Sequence, residues 1–166
     1  MAPSHYLGPD PGLAGLWDLA LLGSGSAALA GFLHGAALLD TAGVKPSEFL
    51  PPATWWLHGM TAFMAELGRD IEAGNYANGV SPVTLNQAAV DNLVRTSQLH
   101  GVDAEVHSPL RVLLDRRVAD GHGTDSVASL FELIRRQQSP SPSSPSVFSA
   151  LAPAGGPVAG SGGGRQ

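Results

Sequence analysis

Asp18 is the residue in this 166-residue chain whose surroundings point most directly to chemistry. It is a lone carboxylate inside an apolar stretch, flanked by Trp17, Leu19, Leu21 and Leu22. Apolar surroundings disfavour the charged form of a carboxyl group, so its pKa is expected to rise toward a value useful for proton donation. The plainer alternative is a structural aspartate that bonds a neighbouring helix. Ser26 lies two helical turns further on, roughly 12 Å along the axis and broadly on the same side. It either shares a cleft with Asp18 or is a small packing residue in a glycine-rich helix. Trp55, Trp56 and Met60 read as the wall of an apolar ligand pocket or as core and interface.

The six histidines, at 5, 34, 58, 100, 107 and 122, form no i, i+4 pair with another His, Asp or Glu in a metal-binding pattern, so no metal is expected. His122 sits between two glycines, where capping a helix end is its commoner role. No phosphate-cradling loop is evident, and no nucleotide-binding apparatus is expected within the sequence. Gly23-Ser24-Gly25-Ser26 has the small residues for one, but it lies within an apolar helix with no strand before it.

The element that must position Asp18 is the run from Asp10 to Gly43. Asp10-Pro11 gives an acidic N-cap and a proline in the first turn, and Gly43 is a natural stop. Between them the chain is dominated by Leu and Ala, predicting a helix roughly 45 Å long. A helix apolar all round must be covered by its own chain, a second chain or lipid. Against lipid stand Ser24, Ser26, His34, the many glycines and an Asp18 without basic anchors, so no membrane span is expected.

Further along, Ser47 reads as the cap of a short helical piece that Pro51-Pro52 interrupts, with a second helix over 53–73 stopped by Gly74. Trp56, Met60, Phe63, Met64 and Leu67 mark its buried face. Ser81-Pro82 opens a third helix with Leu85, Ala88, Ala89, Leu93 and Val94 inward, ending at His100-Gly101. Ser108-Pro109 opens a fourth through Ala119. Thr124-Asp125 caps a fifth to about Arg136, with Leu130, Leu133 and Ile134 inward. No stretch alternates as a strand does, so the fold class is all-α with about five helices.

Composition sets the limits. Hydrophobic residues make up 43% and charged residues 14%, which suits a buried or self-associating fold. The net charge of −5, with scattered Arg and Lys, offers no attraction to nucleic acid. The absence of cysteine removes disulfides and thiolate chemistry, and with no leader evident a cytoplasmic location is expected. From Ser139 the composition collapses into Ser, Pro, Gly and Ala, predicting a disordered tail over 139–166. The expected organisation is a lead-in over 1–9, a helical domain over 10–138 and that tail.

The run Tyr6-Leu7-Gly8-Pro9-Asp10-Pro11-Gly12-Leu13-Ala14, followed by Trp17-Asp18-Leu19-Ala20-Leu21-Leu22, resembles the opening of the C-terminal domain of imine reductases and reductive aminases. Ala30-Gly31-Phe32-Leu33-His34 and Gly121-His122-Gly123-Thr124-Asp125 resemble the same family in order and spacing. The likeness covers about residues 5 to 137. Those enzymes are similar to the 6-phosphogluconate and β-hydroxyacid dehydrogenases. They have an NADPH-binding Rossmann domain, a long interdomain helix and a helical domain, and two chains intertwine to complete each active site.

The resemblance implies that the Asp10–Gly43 helix is the interdomain helix of a homodimer. It implies NADPH as cofactor, held by a Rossmann domain that these 166 residues lack; the chain is then either a fragment or truncated product, or one half of a split enzyme whose Rossmann half is a separate chain. It implies an imine, or an amine and a carbonyl compound, as substrate. Asp18 matches the family's acidic residue, which protonates or orients the imine. Ser26 stands where many members carry Tyr, and Trp56 and Gln87 fall near substrate-pocket positions, with Trp55 and Asn86 beside them. The alternative is a non-catalytic helical dimer that binds a small apolar amine or a protein partner.

Overall fold

A computed structural model describes residues 10–135 apart from 78 and 80. The lead-in, including Tyr6-Leu7, and the tail from Ser139 lie outside the described residues. In order, the elements are α1 (Pro11–Asp40), α2 (Pro46–Ala73), α3 (Val83–Leu99), a 3-10 turn at Glu105–His107, α4 (Ser108–Ala119), a second 3-10 turn at Val127–Leu130 and the short α5 (Phe131–Ile134). No strand occurs among the described residues, only an isolated antiparallel bridge between Pro82 and Ser126. The fold is all-α, as the sequence implied.

α1 forms because Asp10 caps it. The Asp10 carboxylate accepts the Gly12 N–H at 2.8 Å, satisfying one of the donors left free at a helix start. The helix ends as Gly43 turns with φ of +77°, a region that costs glycine little. α2 departs from expectation. It starts at Pro46, not at Ser47, with the Glu48 carboxylate accepting the Lys45 N–H at 3.0 Å. It also runs unbroken through Pro51 and Pro52. Each proline deletes one helical hydrogen bond, but Ser47 and Glu48, whose carbonyls are released, are exposed and water can serve them.

The core is small and lies at the far end of the chain. Val83, Leu114 and Leu130 are buried together, with Val90, Leu113, Val118, Val127 and Leu133 packed round them. α3 begins one residue later than predicted, because Pro82 stays extended as its cap, and the donors left free at the helix start find partners elsewhere in the fold. Val83 N–H donates to the Asp125 carbonyl at 2.9 Å and Thr84 N–H to that of Gly123 at 3.0 Å. Ser81 does not cap; its hydroxyl accepts from the Asn86 side chain at 2.7 Å. Leu85, expected inward, is exposed.

The expected fifth helix is a 3-10 turn followed by a single α turn, and its cap is Ser126, whose hydroxyl accepts the Ala128 N–H at 3.3 Å. Asp125 is occupied elsewhere. Its carboxylate meets the buried Arg117 at 3.4 Å and His122 Nδ1 at 2.8 Å. Arg117 also donates from Nε to the Ser129 hydroxyl at 3.0 Å, so its charge is paired as a buried charge must be. Leu130 is buried and Leu133 packs on the core, whereas Ile134 is exposed.

Among their described side chains α1 and α2 hold none that is buried apart from His34, which packs on α3 and the first 3-10 turn rather than on α2. Met60, Phe63 and Leu67 are half-buried as predicted; Trp56 and Met64 of the same face are exposed. Phe32 of α1 stacks on Phe49 of α2, and Gly35 admits the Phe49 ring so closely that a β-carbon there would lie 3.0 Å from it. That glycine is what lets the two helices approach.

Candidate functional site

The N-terminal half of α1 carries Asp18, and among the described residues its apolar side chains stay uncovered. Leu16, Leu19, Leu21 and Leu22 are each 60–65% exposed, and Trp17 is about half exposed. Asp18 is exposed too. The apolar enclosure expected round its carboxyl group is therefore not formed among the described residues. It needs whatever covers α1. By length and composition the Gly12–Asp40 stretch could also cross a membrane, with a mean hydropathy of 1.4 over its most apolar part.

Ser26 is exposed on α1, one residue before a groove of about 530 Å³ between α1 and α2. Its lining is almost wholly apolar: Ala27, Gly31 and Phe32 from α1 face Phe49, Trp55 and Trp56 from α2. The structure thus brings Trp56 to a concave apolar surface, with the residue still 61% exposed. Asp18 and Ser26 do not line the groove. Gln87 is not there either. It lies on α3, where its amide donates to the Asp115 carboxylate of α4 at 2.7 Å. Asn86 beside it is committed to the start of α3, bonding Ser81 and Pro82. Within one chain, Asp18, Ser26 and Trp56 share the α1–α2 arm, and Gln87 stands apart from it.

Sequence reasoning missed a second cluster. His34, 7% exposed, lies between Ser97 of α3 and His107 of the first 3-10 turn. Its Nε2 is 3.1 Å from the Ser97 hydroxyl and its Nδ1 is 3.1 Å from His107 Nε2. The two imidazoles meet edge to face, 84° apart. Burial, and secondarily the neighbouring His34, hold His107 below the usual histidine pKa. No local pattern announces this cluster, since its members are 63 and 73 residues apart.

Could these residues hold a dinucleotide? The backbone N–H groups of Gly23-Ser24-Gly25-Ser26 lie within the continuous helix α1, and the Ser24 hydroxyl turns back onto the Ala20 carbonyl at 3.0 Å. With no strand leading into a helix among the described residues, there is no cradle of free amides for a pyrophosphate. The residues present do not fit NADPH.

A family model described as the NADPH-dependent reductive aminase-like C-terminal domain matches residues 10–136. An NADPH-dependent reductive aminase from Aspergillus oryzae is 34% identical over 136 residues, which are 80% of this chain and 46% of that protein. Among solved structures, a reductive aminase from Aspergillus terreus, in complex with NADPH4, cyclohexanone and allyl amine, superposes with a TM-score of 0.76 at 40% identity. The match covers 79% of this chain and 46% of that one. An imine reductase from Bacillus cereus superposes with a TM-score of 0.75 at 27% identity, again over 79% and 46%. The chain spans about half the length of the relatives it matches.

Proposed function

Because the chain belongs to the family of NADPH-dependent reductive aminase-like C-terminal domains, we propose that residues 10–135 form the dimerisation and substrate-facing half of an NADPH-dependent imine-reducing oxidoreductase. The observation that carries this reading is the uncovered α1 helix. Asp18 stands on it among Trp17, Leu19 and Leu22, all solvent-exposed in the single chain. A second copy laid along α1 removes these side chains from water and completes a site that one chain leaves open. Lipid is the other cover such a helix could accept.

In this reading Asp18 holds a proton at its carboxyl group and delivers it to the substrate nitrogen. The covering copy supplies the low-polarity surround that excludes water from the site. The substrate is a small imine, or the amine and carbonyl compound that condense to it. The apolar groove at Trp56 takes its hydrocarbon part. Ser26, shorter than the tyrosine many relatives carry, leaves that end of the site wider. Gln87 enters the site only from the partner copy. The cofactor supplies hydride, and since these residues do not fit it, a nucleotide-binding domain outside residues 10–135 must hold it.

The test mixes the purified chain with the isolated Rossmann domain of a related reductive aminase. Cyclic-imine reduction and oligomeric mass are recorded with and without NADPH. A dimer that turns over only in the mixture supports the proposal. A monomer that partitions into vesicles, or a dimer inert in every mixture, sinks it.

A further inference from the structure

The C-terminal half of α1 is fastened to α3 and the first 3-10 turn by a short proton-ordered chain of side chains. Ser97 has one hydroxyl proton, and it goes to the Leu93 carbonyl at 2.8 Å. Its oxygen can then only accept, so the 3.1 Å contact is a donation from His34 Nε2–H. A neutral imidazole protonated at Nε2 is an acceptor at Nδ1. The 3.1 Å contact on that side is therefore a donation from His107 Nε2–H. Every bond in the relay points one way, and the His107–His34 bond depends on His34 being neutral at Nδ1.

We propose that the His107–His34–Ser97 relay is an acid-released latch that docks the C-terminal half of α1 at neutral pH and frees it as the pH falls. A proton added at His34 Nδ1 turns the acceptor into a donor aimed at the His107 N–H, so that bond is lost and a charge is left in a buried site. A proton on His107 Nδ1 leaves the bond standing but charges a partly buried ring, which its lowered pKa shows to be disfavoured. The docked state therefore binds fewer protons than the released one, and docking weakens as the pH drops below about 6.5.

The other charged groups beside the relay do not short-circuit it. Asp103 and Glu105 line the same groove as His34, and their charge opposes release. Neither is bonded to either imidazole; the Asp103 carboxylate accepts the Glu105 N–H at 2.7 Å. His100, one turn beyond Ser97, donates from Nδ1 to the Thr41 hydroxyl at 3.2 Å, because the Thr41 proton goes to the Leu38 carbonyl. This second tie of α1 to α3 lies outside the relay and shares no atom with it.

The experiment is hydrogen exchange of the full chain between pH 7.5 and pH 5, corrected for intrinsic rates. Protection of the amides of residues 30–40 is expected to fall about tenfold per pH unit below its onset, as release coupled to one proton requires. His34→Gln presents a donor and an acceptor together without titrating, and His107→Gln can turn its amide to meet either form of His34. Both variants are expected to weaken this dependence, since each removes the bond that selects a neutral His34. Imidazole nitrogen spectra of the unmodified chain at pH 7.5 keep the test alive should His34→Gln not fold, with Nε2–H tautomers expected for both rings. Other tautomers, a flat profile in the unmodified chain, or an undiminished pH response in a folded variant each overturn the latch.

Discussion

Phe32 and Phe49 lie with ring centroids 5.4 Å apart and planes within 5° of parallel, and this stack is the main aromatic contact joining α1 to α2. It floors the groove that Trp55 and Trp56 overhang. The α1–α2 arm therefore owes its geometry to a few side chains rather than to a deep core.

Phe49→Ala is expected to destabilise the chain by roughly 2 kcal/mol, less than for a fully buried phenylalanine because Phe49 is only half-buried. Urea unfolding measures the loss. Hydrogen exchange should show it concentrated in α1 and α2, with the α3–α4 amides unaffected. An even loss across the chain would mean the arm and the core unfold as one.

Asp18→Asn keeps the size of the side chain and removes its transferable proton. In the reconstituted mixture turnover is expected to fall by roughly 10²–10⁴-fold, the usual worth of a general acid, with oligomeric mass unchanged. Unchanged turnover, or loss of the dimer, would assign Asp18 a structural part instead.

Arg117 places a guanidinium in a nearly closed site between Ser129 and Asp125. Arg117→Ala leaves the Asp125 carboxylate with His122 alone and the Ser129 hydroxyl without its donor, at an expected cost of about 3 kcal/mol. Arg117→Lys should recover little, because a single ammonium cannot serve two partners set apart in a fork. Thermal unfolding of both variants checks this.

Tyr76 donates its hydroxyl proton to Glu132 at 2.7 Å, tying the loop after α2 to α5. That bond is the main reason the Glu132 carboxyl group lies below its ordinary 4.5, with Arg135 contributing, so its stabilisation is present above 4.5 and is lost as acid protonates the group. Burial first, and the Glu132 contact second, raise the Tyr76 phenol above 10.0. Its contribution is full below 10.0 and is lost as the pH climbs through the raised value. Tyr76→Phe is expected to flatten both limbs of a stability-versus-pH curve. A curve that keeps its shape would remove the pair from the acid and alkaline transitions.

Local chemistry made much of the fold legible. Asp10 caps α1 because its short carboxylate reaches back to an N–H two residues on, and Gly43, Gly74, Gly101 and Gly121 all adopt the positive φ at which chains turn. Such signals need only neighbours in the chain. The misread boundaries share a different cause. Ser81, Asp125 and Ser47 have the types that cap helices, but Asp125 answers to Arg117 and Ser81 to Asn86, while α2 starts ahead of Ser47 with Glu48 in support. Pro51 and Pro52 should break a helix on propensity, yet the carbonyls they strand face water.

The sequence by itself determined that the chain is helical, that one long apolar helix dominates it and that Asp18 is the lone carboxylate between its ends, because periodicity and composition are written residue by residue. Tertiary structure alone decided which of these groups meet. It carried Gln87 away to Asp115, left Asp18 open on an uncovered helix, and drew His34, Ser97 and His107 into one relay. Contacts across 63 or 73 residues depend on how the helices pack, and no local pattern records that.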